Sequence, residues 1–541
     1  MEPGIVAGRV PAWRVVLLCA LSLSIGWGIR GNFGHEHGAM MPGALAAMAA
    51  VLLSGREDWH RRIAYFAAFG ALGWSFGGSM SYGHVLAYTH SGDSLTIVYG
   101  FASLFLIGFL WAALGGAGTA LPAYLRRERL TALFVPFLVF YAVLIVHDLT
   151  YDALNTALAH ALGNTAFAAR PEYRQDEPLY WLDTDWTTAL LAIVSMLAYS
   201  ACRRRIDPGA SLILHMAVGW WVCFLLFPVL LDWRMTPPRG DNWAGCLGMT
   251  VGMWVYLQRD GLGGVTLASL IAGFVGGAGF ALATLIQILA LRTGWQTNWH
   301  SVLEQTYGLI NGIGIAAVAL VLAPRAPRVS DDPPVRRWTD WFAPAAVLVL
   351  VTYLNARKNP EEWVKAGAMP QVMYWLQPIT WFNIGYLAVA VIVVWLLIEH
   401  MRRPLPILPR SWLGRGQLLY VLFLWWAVIA NFERALVAFA PARLITEGVI
   451  ILNAALCTLL LVLWARVVTP APEEAPGTYR SPIRRTVVVG VAGAVLCSVL
   501  CWAAVLGVYG TRPVDFRGQP RIRFGPRATV VEHPRRGQPH P

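Results

Sequence analysis

The sequence predicts an all-α polytopic integral membrane protein, and three observations carry that prediction. Of its 541 residues 57% are hydrophobic and only 13% are charged, where a soluble domain carries about 25% charged residues. Apolar runs of roughly 18–25 residues, each about long enough to cross the hydrocarbon core, recur from end to end. Backbone polar groups in lipid must be satisfied within the segment, so these runs are helices. The alternating ten-residue segments of a β-barrel are not visible.

The predicted helix cores fall at 14–29, 39–53, 63–88, 95–121, 130–150, 186–201, 209–231, 243–257, 262–291, 302–323, 340–355, 379–399, 416–438, 443–465 and 486–509, about fifteen transmembrane helices in all. Val15 to Ile29 follows Arg9 and Arg14 as a signal-peptide core would. No small-residue cleavage site comes after it, so it reads as the first membrane helix.

Arginines fix the expected orientation. Arg56, Arg61 and Arg62 follow the second helix, Arg126, Arg127 and Arg129 the fourth, and Arg203 to Arg205 the sixth. Arg325, Arg328, Arg336 and Arg337 follow the tenth, Arg402 and Arg403 the twelfth, and Arg480, Arg484 and Arg485 the fourteenth. The loop after the eighth is weaker, with Arg259 alone. Loops after even-numbered helices are therefore cytoplasmic, with the N-terminus inside a plasma membrane, the bacterial inner membrane. The same topogenic role accounts for the net charge of +12, so no nucleic-acid partner is expected. Membrane lipids are the expected surroundings. Thr511 to Pro541 is rich in Pro, Gly and Arg without a core-forming pattern, which predicts disorder. The seven cysteines lie in or beside apolar runs without a Cys-x-x-Cys pair and read as small core residues.

Paired short motifs suggest an internal repeat. Tyr99-Gly100 and Phe134-Val-Pro136 are echoed at the same spacing by Tyr307-Gly308 and Phe342-Ala-Pro344. Arg30-Gly31-Asn32 is echoed by Arg239-Gly240-Asp241, and Trp220-Trp221 by Trp425-Trp426. The shared order fits a 6+6 direct repeat plus about three extra helices. It divides the chain into 1–205, 206–403, 404–510 and a tail at 511–541. The plainer reading is that any alternation of short loops and apolar helices yields such echoes.

The stretch from Trp27 to Gly43 joins two short apolar runs and holds Arg30, His35, Glu36 and His37 among glycines. Ionisable residues at membrane depth are costly and mark candidate sites. The fork of Arg30, and of its echo Arg239, suits a carboxylate, phosphate or sulfate. The alternative is a structural pair with Glu36, Asp232 or Asp241. His35, Glu36 and His37 read as a proton-titrating or substrate-binding group, as two metal ligands lacking a third, or as a hydrated helix cap. His147-Asp148 is a candidate proton relay or a wet helix end. Glu433-Arg434 reads as a structural ion pair. Glycine-rich segments at 70–83, 115–118 and 273–279 read as close helix crossings and match no phosphate loop. No cofactor motif is present.

Two functions follow as expectations. The first is a secondary transporter, proton-coupled, moving a small anionic or polar solute past Arg30, His35, Glu36, His37, Arg239 and Asp241. The second is a membrane glycosyl- or acyltransferase using a lipid-linked substrate at the outer face. The outward clustering of His, Asp and Glu and the 25 tryptophans support it.

Overall fold

The computed structural model describes residues 5–7, 10–30, 36–77, 80, 82–161, 184–236, 242–295, 297–329, 338–402, 415–437, 441–464, 466–468 and 478–511. The protein is an all-α multi-pass membrane protein. Among the described residues twelve helices are long and apolar enough to cross a bilayer, and Gly38–Leu52 and Ile63–Gly77 are shorter apolar helices.

The helices are α1 (Ala12–Arg30), α2 (Glu36–Leu52), α3 (Glu57–His60), α4 (Ile63–Gly77), α5 (Gly83–Tyr88), α6 (Ser94–Tyr124), α7 (Arg127–Ala132) and α8 (Phe134–Ala161). After these come α9 (Thr184–Arg203), α10 (Pro208–Phe224), α11 (Asn242–Arg259), α12 (Gly263–Leu291) and α13 (Trp299–Leu322). The last are α14 (Thr339–Ala345), α15 (Thr352–Ala356), α16 (Lys358–Lys365), α17 (Pro378–Arg402), α18 (Arg415–Val437), α19 (Pro441–Leu463) and α20 (Arg480–Tyr509). Each predicted apolar run is helical over most of its described residues. The predicted helix over 63–88 is two helices among the described residues, Ile63–Gly77 and Gly83–Tyr88, with Met80 and Tyr82 in neither. The run over 340–355 is α14 and α15 joined by a wider π-type turn at Ala346–Val351. A similar turn with Pro228 inside it ends α10 at Leu225–Leu230. Proline lacks the N–H that a regular ladder needs, so the helix widens there. The strands Ile5–Ala7 and Arg466–Val468 pair in parallel.

The chain forms two compact units, each drawn from separate stretches. The first comprises Met1–Met80, Phe105–Thr131 and Asp260–Cys501. The second comprises Ser81–Leu104, Ala132–Arg259 and Trp502–Pro541.

Glycine sets the packing of the first unit. Lipid offers no hydrophobic drive to pair helices, so close backbone approach has to supply the attraction. α1 and α13 run antiparallel, with Leu23 and Ser24 against Gly308 and Cys19 and Ala20 against Gly312. A Cβ at Gly312 would meet the Cys19 carbonyl oxygen. Gly43 of α2 and Gly70 of α4 face each other's carbonyls in the same way, and Gly108 of α6 lies on Gly276 of α12. The expected crossings are present at Gly70, Gly73 and Gly77, at Gly115, Gly116 and Gly118, and at Gly273, Gly276 and Gly277, whereas a Cβ at Gly83 would meet nothing. Gly312→Leu should destabilise the protein by roughly 1–3 kcal/mol or more through overpacking. Gly448→Ala, on α19 with nothing near its added Cβ, should leave stability unchanged or raise it by about 0.4–1 kcal/mol. Thermal midpoints in detergent would compare the two.

In the second unit α10 and α11 pack through Gly219, Gly248 and Gly252. Trp220 stacks on Phe224 at 4.8 Å, and Trp186 lies edge-on to Trp221. His215 sits beside the Ser211 carbonyl oxygen at 2.7 Å and has Nε2 3.3 Å from Arg259.

Candidate functional site

The best-formed polar site lies in the first unit, where the last residue of α1 meets the early turns of α13. Arg30 is 2% exposed. It ends its helix, where the dipole favours a cation. Its Nη1 donates to Glu304 Oε1 at 3.0 Å, and Glu304 is equally buried. His300, one turn before Glu304 and about half exposed, places Nε2 3.6 Å from the same carboxylate oxygen. The set therefore runs from an accessible imidazole to a buried carboxylate to a buried guanidinium.

Aromatic rings wall this set. The Arg30 guanidinium lies 5.1 Å from the ring centres of both Trp27 and Trp111, a cation–π arrangement that strengthens out of water. Trp27 and Trp111 stack at 5.1 Å with 11° between planes. Trp74 and Tyr307 meet Trp27 edge-on at 5.7 and 4.7 Å. Phe280 closes the box, 5.2 Å from Trp111 and 4.9 Å from Tyr307. Local sequence makes this possible. Gly115 has no side chain, so the Trp74 indole lies across α6; Gly77 lets α4 approach the Trp111 backbone; Gly38 lets the start of α2 touch the Arg30 carbonyl.

The same box holds buried polar atoms without partners among the described residues. The indole N–H groups of Trp27 and Trp74 are buried with no acceptor among the described residues. Buried donors are nearly always paired in folded proteins, so each orphan asks for an explanation. Asn311 stands beside the Tyr307 hydroxyl one turn further along α13. Cation, indole N–H and phenol thus gather in one place, a donor-rich surrounding that suits acceptor-rich groups such as carboxylates.

Of the residues expected from sequence, Arg30 is in this cluster. His35, Arg239 and Asp241 lie outside the described residues. Glu36 and His37 open α2, with side chains outside the description. His147 and Asp148 lie on α8 in the second unit. His147 pairs with Thr187 Oγ1 at 3.1 Å, and Asp148 is 3.5 Å away and exposed.

Glu304 is the partner that sequence reasoning missed for Arg30. Of the partners considered, Asp232 instead faces Arg234 at 3.6 Å. The available signal was an acid inside the apolar run of α13, since such an acid has to find a cation or a proton. Trp74 and Trp111 were missed because nothing in the order of residues places two helices around a third. No protein-family model, curated protein or solved structure matches this chain.

Proposed function

We propose that the protein is a proton-coupled secondary transporter of a small anionic solute, with Arg30 as the substrate-binding cation and Glu304 as the coupling carboxylate. The observation that carries this reading is the buried Arg30–Glu304 pair, reached by a half-exposed histidine and walled by orphaned indole donors. Such a pair is costly to keep away from water, and replacing it with apolar residues is often neutral or stabilising, so a role beyond folding accounts for it better.

The chemistry follows from charge balance. With Glu304 ionised, its carboxylate holds the Arg30 guanidinium. A proton arriving through His300 neutralises Glu304 and releases Arg30 to a solute carboxylate or phosphate. Departure of the solute restores the pair and returns the proton. Binding and protonation thus require each other, which is the thermodynamic condition for coupling. His300 suits the entry step because it is the half-exposed member of the set and its Nε2 lies 3.6 Å from the Glu304 carboxylate.

Purified protein in proteoliposomes with an internal pH dye tests this. It would be challenged with a panel of anions, amino acids and sugars. The wild type should give a solute-dependent pH change. Arg30→Ala should abolish it. Arg30→Lys should keep little of it, because an ammonium lacks the planar fork. Glu304→Gln should lose the pH change while retaining solute exchange. Silence of folded wild type across the panel would overturn the reading and favour an outer-face transferase using a lipid-linked donor.

A further inference from the structure

We propose a second binding site in the first unit, a monovalent hard-cation site of sodium type formed by Glu433, Asn359, Tyr386 and the Ala356 carbonyl. It uses none of the residues assigned to solute or proton above. Its binding test does not depend on transport.

The argument is a count of donors against acceptors. Glu433, in the last part of α18, presents two carboxylate oxygens. Among the described residues no lysine, arginine or histidine pairs with it, and the contacts of its carboxyl are with the Tyr386 hydroxyl and the Asn359 side chain. The expected Glu433–Arg434 pair lies outside the described residues, because the Arg434 side chain is not among them. Tyr386 OH is 3.4 Å from Glu433 Oε2 and 3.3 Å from the Ala356 carbonyl oxygen. One hydroxyl proton is thus set between two acceptors and holds neither closely.

The Ala356 carbonyl is an acceptor by construction. It ends α15, and the residue four further on is Pro360, which has no N–H to complete the helical bond. Asn359 adds the last acceptor. It is fully buried, its Nδ2 donates to the Ala430 carbonyl at 2.8 Å, its amide also lies against the Glu433 carboxyl, and its Oδ1 has no partner among the described residues. Oxygens of Glu433 and Ala356 therefore meet at the Tyr386 hydroxyl with too few protons between them, and the unpartnered Asn359 Oδ1 belongs to a side chain that touches the same carboxyl. In a low-dielectric interior that surplus is expensive unless a positive species supplies the balance.

The chemistry of the set identifies the species. All the donors are oxygens, which selects a hard cation over a soft transition metal. The set carries one formal negative charge, so a monovalent cation neutralises it. A divalent one would leave a buried positive charge. The break between α15 and α16 exposes a helix-end carbonyl, the backbone feature that coordinates sodium where membrane helices are discontinuous.

The test uses purified full-length protein in detergent, with thermal midpoints measured in NaCl and in choline chloride at equal ionic strength. Sodium should raise the wild-type midpoint by roughly 2–5 °C at saturation. Glu433→Gln should abolish the shift. Pro360→Ala, which returns an N–H to the Ala356 carbonyl, and Asn359→Ala should each reduce it several-fold. These two keep the experiment informative should Glu433→Gln fold poorly. No sodium-specific shift in the wild type, a shift unchanged in the variants, or a stability that follows pH and ignores the cation would overturn the site. Loss of transport with the sodium shift intact would instead count against the solute proposal alone.

Discussion

Arg56→Ala should destabilise the protein by about 3–5 kcal/mol, the range for removing one partner of a buried ion pair. The Arg56 side chain is fully buried. Its Nε and Nη2 donate to the two oxygens of Asp58 at 2.9 and 2.7 Å, a bidentate fork. Its remaining protons go to the carbonyls of Ala323, Ala326 and Pro327 at 2.8, 2.7 and 3.0 Å. These follow α13, whose last carbonyls have no helical donors of their own. Trp59 lies beneath the guanidinium at 4.9 Å. Alanine would leave Asp58 charged and buried beside a set of unpaired carbonyls. Lysine would keep the charge but not the fork, and should recover only part of the loss. Arg61, on the same segment, is half exposed and 3.4 Å from Glu57, so Arg61→Ala should change stability by less than about 1 kcal/mol.

The same cluster sets a pH dependence. Burial raises the Asp58 carboxyl, but the hydrogen bonds and charge of Arg56, with the Val329 amide, outweigh it and hold the group below its ordinary value. For an acid depressed on folding, the stabilisation is complete above the unfolded value of about 3.9 and is lost as pH falls through the folded one. Detergent unfolding from pH 7 down to pH 3 should therefore show an acid-dependent loss in wild type. Arg56→Ala should show a smaller one, its pair being already gone. An unchanged midpoint at pH 7 for Arg56→Ala would refute the capping role.

These arginines show where sequence reading stops. The helices were legible because lipid imposes both their length and their apolarity. The glycine crossings were legible because side-chain-free segments have few other uses in such helices. Arg56 and Arg62 were read as topogenic charges, yet Arg62 is also buried and donates to the Leu125 carbonyl at 2.7 Å, beyond the end of α6. The acceptors for Arg56 lie some 270 residues further along the chain, and no local pattern announces a partner at that distance. The spacing Arg56-x-Asp58 was the visible hint. The α10 π-turn had Pro228 as its signal, whereas the turn at Ala346–Val351 has only Pro344 just before it. The aromatic box was least legible, because Trp27, Trp74, Trp111 and Tyr307 come from four helices and become neighbours only through packing.

At the site, the second large expected effect separates stability from function. Arg30→Ala and Glu304→Leu should each cost about 3–5 kcal/mol, because each strands one charge in a buried aromatic box. In Arg30→Ala the stranded carboxylate keeps His300 at 3.6 Å but loses its closest cation, so this variant should be the more destabilised. In Glu304→Leu the guanidinium keeps its two indole faces, worth about 2 kcal/mol when desolvated, so it should be the milder of the two. The double variant Arg30→Met with Glu304→Leu removes both charges and refills the volume. It should recover most of the stability lost by either single change, a non-additive coupling that a double-mutant cycle measures directly. If the pair exists for folding alone, solute flux should recover along with stability. If Arg30 holds the solute, flux should stay at background while the midpoint returns. A stable double variant that still transports at the wild-type rate would remove Arg30 and Glu304 from the mechanism, whatever their contribution to the fold.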